Sequence, residues 1–121
     1  MTVAGGGTRL YNTRALLQPV EDIAVCEGEF DALASTFIGV PAVGVPGAQT
    51  WLEHWREPIL GYRNAWVPYD GDKAGREFAE KMAKVLPNAK LLPMPPGHDL
   101  SSFIQAEGKE AFLAKMSPTK S

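Results

Sequence analysis

Ala65-Trp66-Val67-Pro68-Tyr69 followed by Asp70-Gly71-Asp72-Lys73-Ala74-Gly75 is the stretch on which the reading of this chain turns. An apolar, strand-like run stops at a tight turn carrying two carboxylates, and a well-patterned helix begins directly after it. Like charges on one turn repel each other, so the arrangement calls for something positive between them. A hard divalent cation with oxygen ligands answers that requirement. Cys26-Glu27-Gly28-Glu29-Phe30-Asp31 has the same placement after the apolar run Ile23-Ala24-Val25. Two acidic strand ends of this kind point to a carboxylate-lined metal site for phosphate chemistry.

Working outward, short apolar strands alternate with helical patterns. Ile23 to Cys26, Ala42 to Val45, Ala65 to Tyr69 and Ala89 to Leu92 are expected as strands. Helices are expected from Asp31 to Ile38, ended by Gly39 and Pro41, and from Gln49 to Glu57, with Trp51, Leu52 and Trp55 on one side and Pro58 beyond. The clearest helix runs from Lys73 to Leu86: Ala74, Phe78, Met82, Val85 and Leu86 recur at helical spacing, and Pro87 stops it. Its outer face carries Glu77/Lys81 and Glu80/Lys84 in the favourable order. Pro93 to Gly97 reads as a loop, Ser101 or Ser102 as the cap of a last helix through Ile104, and Lys109 to Met116 as its helical continuation. Arg9 to Leu17 is a short helix or an irregular lead-in, Ala4 to Thr8 is a Gly-rich turn, and Pro118 to Ser121 is a frayed tail.

This alternation predicts an α/β domain with a mainly parallel, four-stranded sheet flanked by helices. In such sheets functional groups collect at the carboxyl ends of the strands. Glu27, Asp70, Asp72 and Asp99 all fall there. Pro68 fits awkwardly, because it has no N–H to give a central ladder. Either the strand stops at Val67 or position 68 is unpaired.

Length and charge narrow the classes further. With 121 residues and 45% apolar content the chain suffices for one domain with a real core, but not comfortably for two. A net charge of −2 does not advertise a free-standing nucleic-acid binder. A single cysteine, Cys26, excludes an internal disulfide framework and a cysteine-based zinc site, and it reads as a small buried apolar residue. No run approaches the roughly 18 apolar residues of a membrane span, and Met1 to Leu10 lacks a signal-peptide core, so a cytoplasmic location is expected. Between Ala15 and Trp55 there is no Lys or Arg, while Glu21, Asp22, Glu27, Glu29, Asp31 and Glu53 all lie there. The acids of the first motif therefore lack a basic partner nearby in sequence.

Three motifs in order resemble the Toprim domain, the Rossmann-like catalytic module shared by bacterial-type DNA primases, topoisomerases and some nucleases. Glu27-Gly28-Glu29-Phe30-Asp31-Ala32 is similar to its Glu-Gly-x-x-Asp-Ala motif, and Asp70-Gly71-Asp72-Lys73-Ala74-Gly75 to its Asp-x-Asp-x-Ala-Gly motif. Gly97-His98-Asp99-Leu100 resembles the Gly-x-Asp that follows the fourth strand in the primase branch. Gly5-Gly6-Gly7-Thr8-Arg9-Leu10-Tyr11-Asn12 is similar to segments that precede the module in primases and primase-helicases of bacteria and phages. Ser101 stands where many primases have a second acid. The zinc module and most of the basic N-terminal subdomain of such enzymes have no counterpart here. The resemblance thus implies a Toprim domain over 23–116, a lead-in over 1–22 that is a remnant of the primase N-terminal subdomain, and a flexible tail over 117–121. It also implies one piece of a primase, as in a split phage enzyme acting in the host cytoplasm.

For the site, the resemblance implies Mg²⁺, with Mn²⁺ as a substitute, held principally by Asp70 and Asp72. Glu27 serves in metal binding or as a general acid or base. Asp31 and Asp99 complete the array as supporting or second-metal ligands. Gly28 and Gly75 let a phosphate or nucleotide approach the backbone, and Lys73 and Arg76 contact its charge. The implied reaction is metal-dependent nucleotidyl transfer from NTPs on a single-stranded DNA template, beside a separate primase subunit or a helicase. A small Toprim nuclease cleaving RNA or DNA and a non-catalytic replication module are the alternatives. Plainer roles also stand: a turn and helix cap for Asp70 and Asp72, caps for Asp31 and Asp99, solvated helix charges for Lys73 and Arg76, core positions for Trp51, Trp55 and Phe78, and a surface loop position for His98.

Overall fold

A computed structural model describes residues 10–17, 21–47 and 50–116. The Gly-rich turn at Ala4 to Thr8 and the tail at Pro118 to Ser121 lie outside the described residues. Four strands, β1 (Asp22–Glu27), β2 (Ala42–Val45), β3 (Asn64–Tyr69) and β4 (Ala89–Pro93), form one sheet in the order β2-β1-β3-β4. Every pairing is parallel. Parallel strands need crossovers, and these are supplied by α1 (Glu29–Phe37), by a 3-10 turn (Glu53–Trp55) running into α2 (Arg56–Leu60), and by α3 (Lys73–Val85). The helices α4 (Leu100–Glu107) and α5 (Lys109–Met116) follow β4.

Both faces of the sheet are covered over β1 and β2, which is why those strands are apolar on alternate and intervening positions alike, whereas the edge strand β4 buries only Leu92. On β1, Ile23 and Val25 join a core with Val43, Val67, Trp55, Ile59, Phe78 and Met82. Ala24 and Cys26 face the opposite way, toward Ala32, Leu92, Leu100, Phe103 and Phe112. So α2 and α3 lie on one face, and α1, α4 and α5 on the other. The backbone of Tyr11 exchanges two hydrogen bonds with Gly44, of 2.8 and 3.0 Å, and blunts the exposed edge of β2.

Pro68 falls inside β3, opposite Leu92 of β4. Ala65 and Tyr69 bond toward the β4 side, so positions 66 and 68 turn toward β1. The β1–β3 register ends at Ala24 opposite Trp66. Pro68 thus sits just past the last pair with β1, where no N–H is needed. The ladder stops early on that side only, and this leaves a crevice between the carboxyl ends of β1 and β3, at the point where the crossovers change faces.

Several expectations change or sharpen. The helix expected from Gln49 to Glu57 starts outside the described residues, and among those described it is broken: Thr50 closes a 3-10 turn, Leu52 is extended, and the chain coils again from Glu53 onward. Trp51 and Trp55 are buried, but Leu52 is 38% exposed. Pro58 lies within α2, in the first turn, where N–H groups have no intrahelical partner anyway. The lead-in from Arg9 becomes a 3-10 turn over Thr13–Leu17. Ala74 is exposed rather than part of the buried stripe of α3, and the close ion pair on that helix among the described residues is Lys73–Glu77 at 3.9 Å. Finally, α4 is capped by Asp99, with Ser102 closing the capping box, and Ser101 is engaged elsewhere.

Candidate metal and nucleotide site

Asp70 ends β3, and Asp72 caps α3, its Oδ1 accepting a 2.7 Å hydrogen bond from the Gly75 amide. Gly75 is required by close approach. A Cβ there would collide with the Asp70 carbonyl and come within 2.5 Å of Asp70 Oδ1. The Asp-x-Asp-x-Ala-Gly spacing is therefore one packed unit, with the third turn residue folded back under the first. Arg76 donates to the Gly71 carbonyl and braces the same turn. Lys73 is exposed and faces Glu77.

Glu27 ends β1 across the crevice and is half-buried. The chain leaves it through Gly28, whose φ of 94° lies in the region L side chains avoid. Asp31 is not a cap, since α1 begins without a side-chain cap bond. Its Oδ1 accepts hydrogen bonds from Ser101 N at 3.1 Å and Ser101 Oγ at 2.8 Å, which ties α1 to the start of α4. Asp99 Oδ1 accepts from Ser102 N at 2.9 Å.

The electrostatics are one-sided. Burial raises the Glu27 carboxyl above its ordinary value, and Asp70, Asp72 and Asp31 add to the rise. Asp70 is raised by burial and then by Asp72 and Asp99. Asp31 is raised by burial, against the Ser101 hydrogen bonds, with Asp99 and Asp70 pushing the same way. The salt bridges among the described residues are Arg63–Glu21 and Lys73–Glu77, and neither involves these acids. Among the described residues no three His, Cys, Asp or Glu side chains converge tightly enough to hold one ion by themselves. The donor set is nonetheless oxygen-only, mutually repelling and, among the described residues, not ion-paired to a Lys or Arg. It suits a hard ion that keeps several of its own waters.

Asp70, Asp72 and Asp99 line a cavity of about 680 Å³ together with Met94, His98 and Ser102. Glu27 and Asp31 do not line it; they feel its charge from the β1 side. His98, which the sequence placed as a surface loop residue, is half-buried in the cavity wall. Its Nδ1 lies 2.9 Å from Ser102 Oγ and its ring packs edge-on against Phe103. The signal for it was the His98/Ser102 spacing at the start of a helix, legible only once Asp99 is known to be the cap. Cys26 is fully buried, and burial, then Asp31, pushes its thiol well above the ordinary range, so it is an inert core residue.

A family model described as Toprim-like matches residues 24–104, the span from β1 into α4. This chain belongs to the Toprim-like family. It is 50% identical over 116 residues to the Gene 57 protein of Mycobacterium phage D29, covering 96% of this chain and 76% of that protein. It is 33% identical over 115 residues to the DNA primase of Pseudomonas aeruginosa, covering 88% of this chain and 17% of the primase. The crystal structure of a DNA primase domain from Pseudomonas aeruginosa superposes with a TM-score of 0.72 at 30% identity, over 96% of this chain and 40% of that one. The primase fragment of the bacteriophage T7 primase-helicase, at 22% identity and TM-score 0.70, shares the fold. The chain is thus a Toprim domain homologous to those of DNA primases, and it spans about a sixth of the primases' length.

Proposed function

We propose that this Toprim domain is the catalytic part of a DNA primase, joining NTPs into RNA primers on single-stranded DNA. The observation that carries it is the uncompensated acid array at the carboxyl ends of β1 and β3, in a chain homologous to primase Toprim domains. Asp70 and Asp72 would hold Mg²⁺ or Mn²⁺, with Glu27 and Asp99 facing the same charge. When bound, the ion neutralises charge on the transferring phosphoryl group and orients the attacking and leaving oxygens. Glu27, whose carboxyl is raised by burial and the neighbouring acids, would take the proton of the attacking hydroxyl as its oxygen bonds the α-phosphorus of the NTP and pyrophosphate leaves. Gly71 and the start of α3 offer backbone close to the phosphates, with Lys73 and Arg76 at its rim, while the buried Gly75 acts by letting Asp70 pack against it. Template and primer grip comes from primase segments outside this domain, on a separate subunit or a helicase.

The test is template-dependent incorporation of labelled NTPs, measured with the complementing primase segments added. Activity should require Mg²⁺ or Mn²⁺ and fall by about a hundredfold or more in Asp70→Ala. Full activity in that variant would refute the assignment. Metal-dependent strand cleavage without NTPs would show a nuclease instead, and a folded chain that binds no metal would show an accessory module.

A further inference from the structure

Helix α1 is packed inside out. Its buried residues are Ala32 and Ser35, with Thr36 half-buried under the Asn12 side chain at 3.0 Å. Its large apolar residues point outward: Phe30 is 80% exposed, Leu33 48% and Phe37 91%. At 100° per residue these three fall within about 60° of one another, opposite the buried side, and Phe30 and Phe37 stand two turns, about 10 Å, apart. Each exposed Phe forgoes roughly 2 kcal/mol of burial, so a stripe of three on one short helix marks a contact surface.

The surrounding charge says what kind. The ionised residues of α1 are Glu29 and Asp31, both in its first turn, and its last turn has no basic residue. The segment from Ala15 to Trp55 contains no Lys or Arg. A second copy of this chain seated on the same stripe would bring acid against acid. The geometry points to a different polypeptide, one that presents an apolar ridge flanked by Lys and Arg, docked on Phe30, Leu33 and Phe37. The stripe starts three residues after Glu27, so such a partner is held beside the acidic end of the sheet. Identifying this partner with the template-gripping primase segment rests on the proposed function; the surface itself does not.

The test uses a labelled amphipathic helical peptide of about 20 residues, with a leucine stripe flanked by lysines, and a companion with glutamates in their place. Fluorescence anisotropy should show the lysine peptide binding the wild-type chain, more weakly as salt rises, and the glutamate peptide not binding. The variant Phe30→Ser/Phe37→Ser should lose at least about tenfold in affinity while its circular dichroism and melting temperature hold. Equal binding of both peptides, no binding of either, or undiminished binding by the double variant would overturn the inference. So would a wild-type dimer in sedimentation velocity that the same substitutions dissolve, because the stripe would then belong to a second copy. No nucleotidyl transfer enters these readouts, so primase activity and the docking surface stand or fall separately.

Discussion

At Gly75 one missing methyl group decides where Asp70 sits, because a Cβ there would meet the Asp70 carbonyl and carboxylate. Gly75→Ala should gain up to about 1 kcal/mol of helix propensity and lose more to the backbone collision, for a net loss of about 1–2 kcal/mol. Urea unfolding measures that loss, and a parallel Mn²⁺ titration should show weakened binding because Asp70 has been displaced. The acids themselves work against the fold. Glu27, Asp31 and Asp70 all have carboxyls raised above ordinary values of 4.5 and 3.8. A raised carboxyl leaves the folded state more stable when protonated. The contribution is fully present below those ordinary values and is lost as pH rises through the raised ones. In chelator, the melting temperature set by these groups should therefore climb as pH is lowered through the raised values toward the ordinary 4.5 and 3.8, and Asp70→Asn should flatten that slope. A slope of the opposite sign, or an unchanged slope in Asp70→Asn, would mean the acids are compensated by groups not seen around them. That Asp70 and Asp72 share one turn at a strand end was legible from their spacing. The role of Asp31 was not, since its partner Ser101 lies 70 residues away and no local pattern connects them.

The start of α4 is held by two devices, the Asp99/Ser102 capping box and the Ser101 bond to Asp31. Both fix the wall that carries His98. Asp99→Ala should cost about 1 kcal/mol from the cap alone. A double-mutant cycle of Asp31→Ala with Ser101→Ala, read by urea unfolding, should give a coupling of about 1–2 kcal/mol, because the acceptor is charged. A coupling near zero would show that the two helices are held by packing alone. The strands were readable as short continuous apolar runs because β1 and β2 are buried on both sides, and the long helix α3 because its 3.6-residue periodicity coincides with its burial. The stretch around Trp51 and Trp55 misled for a physical reason: two tryptophans four residues apart imitate a helical face, whereas the extended Leu52 between them interrupts the coil, which resumes only at Glu53. Pro68 marked a real feature. Sequence showed that a ladder bond was missing, and the register shows on which side it is missing.

Across the whole molecule, a single parallel sheet is buried on both faces and its carboxyl edge is left to charged groups. The net charge of −2 hides the asymmetry that matters, since Glu27 and Asp31 of the acidic edge come from a segment without Lys or Arg. Fold class followed from element order because four short strands with intervening helices admit few arrangements. The outward-facing Phe30 and Phe37 were not foreseen, as apolar spacing on α1 read equally well for the buried side. A divalent cation that binds only the folded chain must stabilise it by mass action, by about 2.7 kcal/mol at a hundredfold excess over its Kd. Mg²⁺ should thus raise the melting temperature most near neutral pH and least in acid, as pH falls toward the ordinary carboxyl values of 4.5 and 3.8, which a thermal series with and without the ion reads directly.

The acid array as a cation site for nucleotidyl transfer is tested most directly by calorimetric titration of Mn²⁺ into the wild-type chain and into Asp70→Asn at neutral pH. Saturable binding to the wild type, weakened at least about tenfold in a variant that remains folded, is the expected result. Equal binding by both proteins, or none by the wild type, would contradict it.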